Sequence, residues 1–302
     1  MNINIQYGNT PIELSYKNWN VGFIGADIDD RGNEAVRFLQ EKSDYLYKIV
    51  YDPNEYIITI NNENIHIDDI DIFFEKKFST ETNFILDCTT LGVPEILILI
   101  QSIYNQGHKH FDSLYLEPIN YRNYESKFIS KRDFELSDRF YGYIGIPGHT
   151  LSLSTDNTDK AVFCCGYEAE RIERAFEDLN LSGEKSQIVF GVPAFHAGWE
   201  TNSFSNNIYT IDNRNLNKNF YYCGASNPSA IYEQLNRIYH GLEENEHLFI
   251  VPIGTKPMSL GACLFKVITN DNYKIAILYD HPIKKSGRSS MISRWNLYNI
   301  AL

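Results

Sequence analysis

The segment His247-Leu-Phe-Ile-Val-Pro-Ile-Gly254-Thr255-Lys256-Pro-Met-Ser259-Leu-Gly-Ala262 decides the fold class. Its first half is a short, continuous apolar run, the pattern of a strand buried on both faces. Gly254 ends the run and lets the backbone turn tightly or approach a ligand. Small and apolar residues follow, and a helix is expected from Ser259 to Val267, with Ser259 as its cap. A buried strand that passes through a glycine turn into a helix is half of a βαβ unit.

The same order recurs along the chain. Val21-Gly-Phe-Ile-Gly25 leads into a helix expected over about Asn33 to Lys42. Tyr47-Lys-Ile-Val-Tyr51 is a strand stopped by Asp52-Pro53, and residues 56–67 alternate as a hairpin around Asn61-Asn62. Phe84-Ile-Leu-Asp-Cys88 is a strand, and Thr89 or Thr90 is placed to cap the helix Glu95 to Asn105. Ser113-Leu-Tyr-Leu116 is a strand ended by Glu117-Pro118. In the second half, strands are expected at 160–165, 187–191, 219–223 and 273–279, and helices at 168–180 and 228–239. Strands alternating with helices describe α/β architecture with mostly parallel sheets, read here as two Rossmann-like modules. The boundaries are 1–120 for the first domain, 121–157 for a connector rich in Tyr, Arg, Asp and Ser, and 158–302 for the second domain, which carries the ligand crevice.

The halves share an echo. Arg31, Ala35 and Leu39 follow Gly25 with the spacing that Arg171, Ala175 and Leu179 show after Gly166. An internal duplication accounts for it; chance likeness of two amphipathic helices is the alternative.

The 302 residues are 43% hydrophobic and 22% charged, which suits a globular chain. The apolar run beginning at Ile96 is too short to cross a bilayer, and Met-Asn-Ile-Asn opens no secretory signal, so a cytoplasmic protein is expected. The five cysteines form no Cys-x-x-Cys pair and lie mostly in apolar runs, which predicts burial without disulfides. The net charge of −12 argues against a protein that coats duplex nucleic acid. The stretch from His281 onward has no acid but carries Lys284, Lys285, Arg288 and Arg294, which suggests an anionic partner there; a solvated tail is the alternative.

In an open α/β sheet, ligands bind beyond the carboxyl ends of the parallel strands. The loop Gly254-Thr255-Lys256 with Ser259 offers a close backbone, two hydroxyls, a mobile cation and a helix N-terminus, a combination suited to an anion. Ser226 and Asn227, before Pro228, form a second candidate, with helix capping as the alternative role for Asn227. Lys284, Lys285 and Arg288 are expected to approach Lys256. Phe195 or Trp199 is placed to stack on a base or to cover the core edge. Asp27, Asp29 and Asp30, with Glu170 or Arg171, carry the rival enzyme reading. No cofactor is read from the sequence, and Ser-His-Asp order, His-Glu-x-x-His and Gly-x-Gly-x-x-Gly are absent.

The segment around Gly254-Thr255-Lys256-Pro257-Met258 resembles the strand–Gly-Thr-Lys-x-Met–helix element of CARF domains, the CRISPR-associated Rossmann-fold sensors. The likeness covers 16 residues, and Pro257 is a departure from that pattern. It implies a nucleotide-recognising module in prokaryotic antiviral defence, often built as a homodimer. The expected function is therefore binding of a phosphorylated nucleotide or nucleic-acid end by a sensor or accessory subunit. A nucleotide-processing enzyme and a ligand-free docking subunit are the alternatives. The expected partners are an anionic small molecule or nucleotide and a second protein or second copy, with no membrane.

Overall fold

A computed structural model describes residues 1–121, 134, 136–153, 159–179, 181–216 and 219–302. The chain forms two compact units, residues 1–120 with 286–302, and residues 121–285. The expected second domain of 158–302 is corrected at its end, because the last seventeen residues or so belong to the first unit.

The first unit opens with β1 (Asn2–Gly8) and β2 (Trp19–Ile24). Helix α1 (Asp30–Lys42) links β2 to β3 (Ser43–Asp52), which pairs with the hairpin β4 (Ile57–Ile60) and β5 (Glu63–His66). Helix α2 (Ile70–Lys77), β6 (Phe84–Asp87), α3 (Val93–Asn105) and β7 (His110–Tyr121) follow. The chain's last strand, β15 (Ser289–Ala301), inserts between β1 and β7. The eight strands run in the order β1-β15-β7-β6-β2-β3-β4-β5, and the central four, β7-β6-β2-β3, are parallel. Trp19, Phe38, Leu39, Leu114, Trp295 and Leu297 share one core on the α1 side. Helix α3 starts at Gly92 rather than at the expected threonine cap. Thr90 instead donates its hydroxyl to Asp87 Oδ2 at 2.5 Å and accepts from the Gly25 N–H at 2.8 Å.

The second unit contains the short strand β8 (Ser137–Phe140) and then a regular alternation. It runs β9 (Lys160–Cys165), α4 (Ala169–Leu179), β10 (Ser186–Gly191), α5 (Trp199–Asn213), β11 (Phe220–Cys223) and α6 (Pro228–His240). It continues with β12 (Leu248–Pro252), α7 (Lys256–Thr269), β13 (Ile275–Ile277) and β14 (Pro282–Lys284), and β14 pairs antiparallel with β8. The five main strands are all parallel in the order β11-β10-β9-β12-β13. Chain order therefore reverses between β9 and β12, which is the topological switch point of the sheet.

Local physics explains these elements. Helix α4 puts Ile172, Ala175, Phe176 and Leu179 on one stripe, and Phe176 stacks on Phe163 of β9 at 5.3 Å. Helix α7 is buried from Pro257 to Val267, as its apolar composition demands. Its Gly261 permits close packing on α6, since a Cβ there would lie 2.2 Å from Pro228 O. No helix among the described residues is long and apolar enough to cross a membrane.

Candidate functional site

Two glycine loops meet at the switch point of the second unit. A Cβ on Gly166, after β9, would stand 2.6 Å from Ile253 O, and one on Gly254, after β12, would stand 3.0 Å from Cys164 O. Only glycine allows the two backbones this approach. Beside them, the Thr255 hydroxyl donates to Ala225 O at 2.5 Å, and the Ala225 N–H donates to Pro193 O at 2.9 Å. The loops after β10, β11 and β12 are thus tied together, which brings Gly254, Thr255 and Lys256 to the side of Ser226 and Asn227.

The roles of these residues differ from the expectation. Helix α7 begins at Lys256 with Thr255 as its N-cap, so Ser259 lies one turn inside rather than at the cap. Its buried hydroxyl bonds Pro252 O and Thr255 O, each at 3.2 Å, and fixes the turn from within. Asn227 caps α6 by accepting the Ala230 N–H at 3.1 Å. The groups that remain suited to a ligand are half-buried Lys256 and the backbone N–H groups of the first turn of α7, where the helix dipole favours an anion.

Of the expected cations, Lys284 and Lys285 lie in the second unit and Arg288 in the first. Lys284 ends β14, and Lys285 lies 3.9 Å from Asp138 while its N–H donates to Leu136 O. The chain before them is drawn toward α4, because Asp280 accepts two bonds from Arg171 at 2.7 and 2.5 Å. Arg288 belongs to the first unit, where its charge acts on Asp29.

Of the groups of the enzyme reading, Asp30 is exposed in the first turn of α1, and Asp27, Asp29, Glu170 and Arg171 have structural partners. Asp29 caps α1 through the Gly32 N–H and accepts bonds from Arg31 and Ser289. Burial alone would raise its carboxyl, but the Arg31 charge, the Ser289 hydroxyl and the Gly32 amide together hold it below the ordinary value. Arg31 also donates to Leu116 O at 2.8 Å. Asp27 pairs with Lys48, and Glu170 pairs with Arg174 on the surface. Burial works against the Arg171 charge, yet Asp280 keeps that guanidinium firmly ionised. All five cysteines are buried thiols outside any disulfide; burial pushes the Cys165 thiol up to about 12 and Cys223 up to about 11, so neither is activated as a nucleophile.

Sequence reasoning missed the face of α5 that meets this edge. Ser203 and Asn207 donate to Gly166 O at 2.9 and 3.0 Å, and Asn206 donates to Tyr167 O at 3.0 Å. Trp199, expected to be exposed or to cover the core edge, is buried among Tyr121, Phe134 and Tyr167. The signal in the sequence was Asn202, Ser203, Asn206 and Asn207 at helical spacing, obscured because these residue types favour caps and turns. No protein-family model matches the chain, and a search of curated proteins finds no match.

Proposed function

We propose that the second unit recognises a phosphorylated nucleotide or nucleic-acid end, and that the chain works as a cytoplasmic sensor or accessory subunit in prokaryotic antiviral defence. One observation carries the binding reading. The Gly254-Thr255-Lys256 loop leaves β12 at the point where strand order reverses, and it starts a fourteen-residue helix with a cation in its first position. Open parallel sheets bind ligands at this place, and helix N-termini receive phosphates. The strand order, 3-2-1-4-5 by position along the unit, supports a Rossmann-like assignment. The defence setting rests on the resemblance of the Gly254–Met258 segment.

Duplication of the two units is part of this reading, and three correspondences support it. The parallel order β3-β2-β6-β7 matches β10-β9-β12-β13. Gly25 presses on the loop after β6, with a Cβ 2.5 Å from Thr90 O, as Gly166 presses on the loop after β12. Arg31 reaches Leu116 of β7, and Arg171 reaches Asp280 just beyond β13.

The test is titration of wild type and Lys256→Ala with nucleotides and short oligonucleotides at two salt concentrations. A charge-assisted contact contributes about 1.5–3 kcal/mol. Loss of Lys256 is expected to weaken binding about ten- to hundredfold, and added salt is expected to weaken it in wild type. Equal affinity of the two proteins removes Lys256 from the site.

A further inference from the structure

Among the described residues, three amide atoms on α5 are shielded from solvent and have no hydrogen-bond partner: Asn202 Nδ2, Asn206 Oδ1 and Asn207 Oδ1. Asn207 is fully buried. Folded proteins seldom leave such atoms unpaired, and where they do, strain, function or a bound water or ion accounts for it. These three are one donor and two acceptors. Trp199, Asn202 and Asn206 fall at i, i+3 and i+7, a single helix stripe, and their side chains lean toward the helix N-terminus. The same side chains hold the loop after β9, through Asn206 to Tyr167 O and Asn207 to Gly166 O. Gly166 in turn abuts Ile253, next to Gly254. The cluster is therefore contiguous with the anion loop.

We infer that this amide cluster, with the rings of Tyr167 and Trp199, recognises an amino-bearing nucleobase: adenine, guanine or cytosine. The inference rests on the nucleotide reading given above. The base donates two N–H bonds to Asn206 Oδ1 and Asn207 Oδ1 and accepts one from Asn202 Nδ2. Each of the three bases presents two such hydrogens beside an acceptor, whereas uracil and thymine present one donor between two acceptors. Asn amides accept from the adenine amino group and donate to its ring nitrogen in nucleic-acid complexes. The rings of Tyr167 and Trp199, with centroids 6.3 Å apart, border the cluster and supply its aromatic surface.

The experiment titrates the full chain with ATP, GTP, CTP and UTP, with pyrophosphate as a ligand that has no base. Wild type is expected to bind at least one of ATP, GTP and CTP tenfold or more tightly than UTP. Asn202→Leu removes the amide whose Nδ2 is shielded and unpartnered, so the ligand-free protein keeps its Tm while the preference over UTP disappears. Asn202→Asp, nearly isosteric, turns the donor into an acceptor and is expected to abolish the preference as well. A wild type without preference, or a preference that survives both variants, overturns the base assignment. If pyrophosphate still binds in a Lys256-dependent way, the anion site stands and only the base assignment falls. If neither pyrophosphate nor any nucleotide binds, both fall.

Discussion

Lys266 is buried within α7, with its ammonium 2.5 Å from Asn272 Oδ1. Burial lowers its pKa to about 8, partly opposed by Asp271. An unfolded lysine titrates near 10.4. Between those values the unfolded chain holds a proton that the folded chain has released, so stability rises with pH across that window. The Tm of wild type measured from pH 8 to pH 10 is expected to show this rising limb, and Lys266→Met is expected to lack it. His149 behaves in the same sense at acid pH. Burial, with the Lys266 charge beside it, lowers its pKa to about 3, so stability falls as pH drops from about 6.5 toward that value. Urea unfolding of wild type and His149→Asn at pH 7 and pH 4.5 checks this, and the variant is expected to lose less on acidification. The Arg171–Asp280 pair is a third case. Asp280→Ala leaves the buried Arg171 guanidinium only Glu168, 3.7 Å away, and is expected to cost about 3 kcal/mol in urea unfolding. The sequence spacing marked Arg31 and Arg171 as a matched pair. It could not show what each one meets, because Leu116, Ser289 and Asp280 lie far along the chain.

Helices with clear punctuation were legible as elements. Helix α6, with Asn227 and Pro228 at its start, was read within a residue, and the Asn61-Asn62 hairpin turns with φ of 47° and 74° as such a dipeptide should. Helix α5 was not legible, since its Asn, Ser and Thr residues argue locally against a helix and tertiary contacts hold it, Phe204 and Ile211 on the core and Ser203, Asn206 and Asn207 on Gly166 and Tyr167. Strands β1 and β15 were missed because Asn, Gln and Ser interrupt their alternation, and their pairing joins the two ends of the chain. At this scale Gly261 gives a sharp test. Helix propensity favours alanine there by about 1 kcal/mol, yet a Cβ would stand 2.1 Å from Ile231 Cγ2 and 2.2 Å from Pro228 O. Overpacking of this kind costs about 1–3 kcal/mol. Gly261→Ala is therefore expected to lower Tm despite the better propensity, and a raised Tm shows that α6 and α7 separate freely.

The whole chain is discontinuous in its organisation, with residues 121–285 leaving and returning to a unit that residues 286–302 complete. Deleting 286–302 removes the strand between β1 and β7 together with Trp295 and Leu297 of the core. Limited proteolysis of that deletion is expected to digest residues 1–120 while fragments of 121–285 survive; equal resistance of both contradicts the division. The division escaped sequence reading because a terminal strand carries no mark of its sheet partners. The Gly254-Thr255-Lys256 loop and its helix were legible as structure, since glycine, lysine and the following apolar run are local features, but the partners of the cations depend on tertiary contacts. The central claim is that the start of α7 takes a phosphorylated ligand. Its most direct measurement is amide chemical-shift mapping of the full chain during titration with a nucleoside triphosphate. The largest shifts are expected at Gly254, Thr255, Lys256 and Met258, saturating together and lost in Lys256→Ala. Saturable shifts confined to other parts of the chain, or none at all, contradict the account.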